Sequence, residues 1–315
     1  MYRVVNRKGQ VLNSLVDKIE RSEEFFCPSC KNPVRFRSGQ HLRPHFAHVS
    51  KSNCQGAEEN EGPEHLGLKA LLFEWFSLDS EVGIEVAIPE CGQVADLLVD
   101  GKVAIEVQCS YLSIQRLKER TRSYQVNGYR VVWLLGKKLW LGQRLTVLNR
   151  QFLRFSPYLG FYVWELDLAA SVLRLRYLLH EDLKGRLQGK VRIFPLDRGG
   201  RREVKNLSQH PKIDSFKGRL VADPLAYIRR QLYYRHPYWV SKQLEAYEAG
   251  RNLLGGQAQD FYPQIRLPKL GDGFVQVEED LPLYYEAFDQ YYQSRRGEEI
   301  QVLYSPAYYL KLASS

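Results

Sequence analysis

One methionine, five cysteines and no apolar run approaching the length of a membrane span are what the 315-residue sequence has little of. Each shortage narrows the reading. Roughly twenty consecutive apolar residues would be needed for a transmembrane helix, and none is present. The N-terminus, MYRVVNRKGQVL, has no apolar signal-peptide core, so a soluble cytoplasmic protein without a membrane partner is expected. Five is an odd number of cysteines, and two are spaced Cys27-x-x-Cys30, which suits metal binding better than a disulfide framework. Acidic residues are also scarce, 36 against 45 Lys and Arg, giving a net charge of +9. The deficit is local. Between Lys184 and His236 there are 14 basic and 4 acidic residues, a surplus of 10, so the rest of the chain stands at −1. A confined basic segment is the footprint of a phosphate-backbone binder or a solvated basic surface.

The stretch Val94 to Ser110, VADLLVDGKVAIEVQCS, carries the chemistry. Two apolar runs flank Asp100-Gly101, a strong two-residue hairpin signal. Asp96 sits in the first run, Glu106 and Gln108 in the second. Side chains two apart in a strand share a face, so Glu106 and Gln108 point the same way, and the hairpin can bring Asp96 close. Carboxylates in apolar strands are costly unless compensated, and a divalent cation is the commonest compensation. The alternative is an amphipathic hairpin with its acids in water.

Upstream, residues 2–20 read as a short hairpin turning at Asn6–Gly9. The segment FFCPSCKNPVRFRSGQHLRPHFAHVSKSNC then offers Cys27 and Cys30 in a knuckle, with His45, His48 and Cys54 for the two remaining positions of a tetrahedral Zn2+ site. His45 and His48 face opposite ways in an extended segment. The expected set is Cys27, Cys30, His48 and Cys54, with His45 as substitute. So small a module would draw part of its folding free energy from metal. An acidic linker, 58–64, follows. A helix is expected from Glu64-His65 to about Ser77, with Pro63 in its first turn and Leu68, Leu71, Leu72, Trp75 and Phe76 buried. Strand 83–90, the central hairpin, a helix over 113–127 ended by Gly128, and strand 129–136 complete the order helix, three strands, helix, strand. Arg116, Arg120 and Tyr124 share a helix face suited to phosphate contact, or simply solvated.

Asp96…Glu106-x-Gln108 in this α-β-β-β-α-β order resembles the PD-(D/E)XK, restriction-endonuclease-like nucleases, with Gln108 where lysine usually stands. The resemblance implies that Glu64, on the first helix, completes a Mg2+ or Mn2+ shell with Asp96 and Glu106. It also likens the Arg120…Tyr124 face to the Gln-x-x-x-Tyr helix of exonuclease-type relatives. Lys69, four residues after His65, would replace the missing cation if it faces inward. The motifs CPSC, RPHFAH, PEHLGLK, VADLLVDGKVAIEVQCS and GYRVVWLLGKKLWL, continuing through FYVWELD and LRYLLHEDLKG, closely resemble the competence protein CoiA family, over more than half the chain. That family implies processing or recombination of DNA taken up in transformation. The expected substrate is DNA, foremost single strands or branched recombination intermediates, cut in metal-dependent hydrolysis. A non-catalytic, recombination-assisting DNA binder on the same scaffold is the alternative, favoured by Gln108.

Past Leu139, FYVWELDLAASVLRLRYLL reads as two strands extending the nuclease sheet, and the basic stretch from Lys184 to about Gly218 as loop. Helices are expected from Asp223, broken near Pro237. There Tyr227, Tyr233, Tyr234, Tyr238 and Trp239 interleave with Arg229, Arg230 and Arg235. That composition stacks bases and holds phosphates, or packs a helix bundle. The helical region could also dock a recombination protein. The expected class is therefore α/β, with a zinc-ribbon-like module over 1–57, a nuclease-like domain over 58–182 and a basic, mainly helical domain over 183–315.

Overall fold

The computed structural model describes residues 1–39, 42–50, 54, 62–271, 273–295 and 300–313. Most of the linker 58–64 lies outside them. The architecture is α/β, and the chain divides into two compact units. The first comprises 1–140, 163–175 and 192–210; the second comprises 141–162, 176–191 and 211–315.

The first unit opens with a small antiparallel sheet of β1 (Arg3–Asn6), β2 (Val11–Asn13), β3 (Phe25–Phe26), β4 (Pro33–Gly39) and β5 (Leu42–His48), in the order β2-β1-β3-β4-β5. Val4, Phe25, Val34, Phe46, Cys27 and Cys54 make its core. Next come α1 (Pro63–Phe76), β6 (Val82–Ile88), β7 (Gln93–Val99), β8 (Val103–Gln108), α2 (Ile114–Val126) and β9 (Arg130–Leu135), the order expected. Pro63 starts α1 where its missing N–H costs nothing, and Glu64 lies in the first turn. Asp100 and Gly101 both take positive φ, +51° and +65°, as a two-residue hairpin turn requires. β8 pairs antiparallel with β7 and parallel with β9, which needs α2 as crossover. Gly128, at φ +79°, ends α2 and turns the chain into β9.

Beyond β9 follow α3 (Val147–Gln151), β10 (Arg154–Ser156), β11 (Gly160–Asp167), β12 (Val172–Glu181) and β13 (Leu187–Pro195). The sheet runs β13-β12-β11-β9-β8-β7-β6, with β10 on β11. The basic stretch expected as loop is instead β13 and a helix, α4 (Arg198–Gln209), capped by the Asp197 side chain on Gly200 N–H. Its many charges hid a largely exposed strand followed by an amphipathic helix. β14 (Ser215–Lys217), α5 (Pro224–Tyr233), α6 (Pro237–Glu248), α7 (Leu281–Gln293), β15 (Val302–Tyr304) and α8 (Pro306–Ala313) complete the second unit. Tyr284, Phe288, Tyr292 and Tyr309 are buried there in an aromatic core. Among the described residues no helix is long and apolar enough to cross a membrane.

Candidate active site

The sheet ladder is interrupted on both sides of Asp96. Between β6 and β7 the regular pairs are Ile84 with Leu97 and Val86 with Ala95, and between β7 and β8 they stop at Leu97 with Ile105. Carried one residue on, these registers set Glu85 opposite Asp96 and Asp96 opposite Glu106, one carboxylate on each of three neighbouring strands. Glu85 takes φ +49°, an irregularity of the kind found beside active sites. Asp96 Oδ2 accepts the Val107 N–H at 2.8 Å, its side chain replacing a backbone acceptor of the ladder.

Each carboxylate has its own cationic or polar partners. Lys69 is fully buried, although it stands among the apolar residues of α1. Its Nζ lies 2.7 Å from Glu85 Oε1 and 3.6 Å from Asp96 Oδ1. His65 Nε2 lies 3.1 Å from Asp96 Oδ2. Burial alone would raise the Asp96 carboxyl pKa, but the charges of His65 and Lys69 and the Val107 N–H hold it well below the usual carboxylate range. Glu106, also buried, accepts the Tyr124 hydroxyl at 2.5 Å and Arg120 Nη2 at 2.8 Å. Burial and the neighbouring Glu106 push the Tyr124 phenol far up, so it remains a donor. Arg120 also lies over the Trp133 ring, 5.1 Å from its centroid. Gln108 donates from Nε2 to Ser110 O, while its buried Oε1 has no hydrogen-bond partner among the described residues.

Asp96, Glu106 and Gln108 therefore lie on the paired strands β7 and β8, with Lys69 reaching Asp96 from α1, and the other expected site residues are placed as follows. Arg120 and Tyr124, read as a phosphate-contacting face, both donate to Glu106. Glu64 Oε1 accepts the Lys137 N–H at 2.9 Å. Arg116 is half-buried in the first turn of α2, its N–H on the Ser113 Oγ cap. Glu85 and the pairing of His65 with Asp96 were not read from sequence. A glutamate inside GIEVAI gives only a weak signal, because an alternating strand can turn such a residue to solvent.

The Cys/His module reaches this network. Glu85 Oε2 accepts the backbone N–H groups of Tyr2, at 2.8 Å, and Arg3, at 3.0 Å, and the Tyr2 hydroxyl donates to Leu66 O. Within the module, one ligand atom each from Cys27, Cys30, His48 and Cys54 lie within 4.8 Å of one another, a group that could hold a metal such as zinc. Cys27 and Cys54 sulfurs are 3.7 Å apart, and Cys30 Sγ is 3.4 Å from His48 Nε2. A tetrahedron with Zn–S bonds of about 2.3 Å and Zn–N bonds of about 2.0 Å has edges of roughly 3.8 and 3.6 Å, so the donor set fits. Burial pushes the Cys27 thiol up to about 12. Burial acts the same way on Cys30, but the Asn32 N–H and His48 hold it down to about 6. The substitute, His45, bonds Arg43 O instead and is outside the group.

A nuclease-like α/β domain with an N-terminal Cys/His module is the class this arrangement defines. Residues 61–199 match the family model of the competence protein CoiA nuclease-like domain, and residues 9–57 match that of the CoiA N-terminal domain. The competence protein CoiA of Bacillus subtilis (strain 168) is 28% identical over 150 residues, 45% of this chain and 40% of that protein. The match thus spans well under half of that relative's length. No solved structure matches the chain. The chain belongs to the competence protein CoiA family.

Proposed function

We propose that the chain is a metal-assisted DNA nuclease that processes or recombines DNA during natural competence. The observation that supports this reading is a strand register that, carried one residue on, sets Asp96 across from Glu106, two residues before Gln108, whose buried Oε1 has no hydrogen-bond partner among the described residues. Carboxylate and amide oxygens are the donors a hard cation takes, so the residues fit Mg2+ or Mn2+. When bound, such an ion polarises a phosphodiester and lowers the pKa of water. Asp96 stays ionised, because His65 and Lys69 stabilise its charge. Gln108 Oε1 can accept from a water and orient it toward a phosphorus. Lys69 supplies the positive charge that Gln108 cannot, from the helix instead of the strand. Tyr124 and Arg120 fix the Glu106 carboxylate. Zn2+ in the Cys27, Cys30, His48 and Cys54 set would be structural.

A second reading is favoured by Glu106, both of whose oxygens already accept protein donors: a DNA-binding, recombination-assisting protein that does not cleave. The test is cleavage of single-stranded, duplex and branched DNA with Mg2+ or Mn2+, using wild type, Asp96→Ala and Glu106→Ala. The nuclease reading expects cleavage by wild type and its loss in both variants. Activity untouched by either substitution refutes the assignment, and DNA affinity without cleavage in wild type selects the second reading.

A further inference from the structure

The aromatic and basic residues around the end of α5 are sorted by the fold into two groups. Ile228 and Trp239 are buried on Leu183, with Tyr227 packed against them, so these form core. Tyr233 and Tyr234 are 80% and 71% exposed, more than any large apolar side chain in the core-forming part of either helix. Their rings meet at 5.1 Å and 84°. Arg229 and Arg230 are exposed one helical turn before them, each four residues from a tyrosine and on its side of the helix. Arg235 follows, also exposed.

Elsewhere in the basic segment, four cations are held in ion pairs. Arg186 pairs with Asp182, Lys190 with Asp214, and Arg201 and Lys205 with Asp79. Arg229, Arg230 and Arg235 form no ion pair among the described residues. The corner is also closed by backbone hydrogen bonds. Arg235 is held at φ +52°, with its N–H on Leu232 O, and the His236 N–H returns to Gln231 O, both at 2.9 Å. A side chain in the left-handed region costs free energy, and this turn holds one to bring a third cation beside the tyrosines.

We infer that Tyr233 and Tyr234, with Arg229, Arg230 and Arg235, form a docking surface for single-stranded DNA. The inference rests on the reading of the chain as a DNA-acting protein and names the strand state it holds. Exposed rings stack on bases that a duplex keeps covered, and guanidinium groups without an ion-pair partner take the phosphates between them. An acidic protein segment would use the arginines but leave the two exposed rings without a matching flat partner. The rings at right angles admit one base face-on and close the next step edge-on, which a flexible single strand can follow.

The experiment is fluorescence anisotropy of a labelled oligothymidylate with the full-length Asp96→Ala protein and no added divalent ion, so that binding is read without cleavage. Tyr233→Ala/Tyr234→Ala removes only exposed rings. It is expected to weaken oligothymidylate binding about tenfold while duplex binding changes less than about twofold. Arg229→Gln/Arg230→Gln/Arg235→Gln is expected to lower the slope of log affinity against log salt by about 2, at roughly 0.7 per phosphate contact. Oligothymidylate affinity unmoved by the tyrosine pair overturns the inference, as does an equal loss on duplex or tighter binding of an oligouridylate of the same length. Because no cleavage is measured, a failed nuclease assay and a failed binding result remain separate outcomes.

Discussion

Lys69 is the side chain on which the candidate site's charge balance turns, and a double-mutant cycle with Glu85 tests that directly. At one effective dielectric, attraction scales inversely with distance. The Lys69–Asp96 contact at 3.6 Å is thus worth about three-quarters of the Lys69–Glu85 contact at 2.7 Å. Lys69→Met removes both and leaves two buried carboxylates facing each other, a change expected to cost about 3–5 kcal/mol. Glu85→Gln is milder. It keeps an oxygen for the Tyr2 and Arg3 N–H groups and leaves Lys69 its Asp96 contact, so about 2 kcal/mol is expected, the scale of a hydrogen bond to a charged group. In the Lys69→Met background the sign reverses, because Glu85→Gln then removes an uncompensated buried charge and stabilises. Equilibrium urea unfolding followed by tryptophan fluorescence reads the four free energies. Hydrogen exchange at the Tyr2 and Arg3 amides, slow in all four proteins, checks that the N-terminal strand stays docked. If Glu85→Gln costs the same with and without Lys69, the ammonium and the carboxylate are not coupled, and the charge-balance argument fails.

Three further outcomes are expected. Tyr124→Phe takes the donor from Glu106 Oε1 in a fully buried place and is expected to lower stability by about 1–3 kcal/mol in the same urea assay; an unchanged midpoint would show that the bond carries nothing. His180 is buried with its Nε2 unpartnered, and burial lowers its pKa from 6.5 to about 4. The unfolded chain therefore binds the extra proton first. Stability is full above pH 6.5 and falls as pH drops toward 4, by at most about 3 kcal/mol, and His180→Gln flattens that slope. Metal analysis should find one zinc per chain, lost in Cys54→Ser. Since β1 closes on Glu85, chelation should speed hydrogen exchange in β6 as well as in the module, and protection of β6 unaffected by chelation would separate the two.

Much of this was legible because it is local. The Asp100-Gly101 turn, the Cys27-x-x-Cys30 knuckle, the order of helices and strands, and an aspartate set in an apolar strand are each readable from a few neighbouring residues. What compensates the buried carboxylates is not local. Lys69 and His65 arrive from α1 and Arg120 from α2, contacts that only tertiary packing creates. Glu85 was hidden for a similar reason. Its positive φ and its place opposite Asp96 are properties of strand register, and an alternating pattern is silent on both. The basic segment shows the same limit in reverse: a surplus of 10 charges reads as one patch, yet the fold pairs Arg201 and Lys205 with Asp79, Arg186 with Asp182 and Lys190 with Asp214. Composition records how many charges a segment carries. Which of them a ligand can use depends on what surrounds each in the fold, and Arg229, Arg230 and Arg235 are set apart by standing exposed beside two exposed tyrosines.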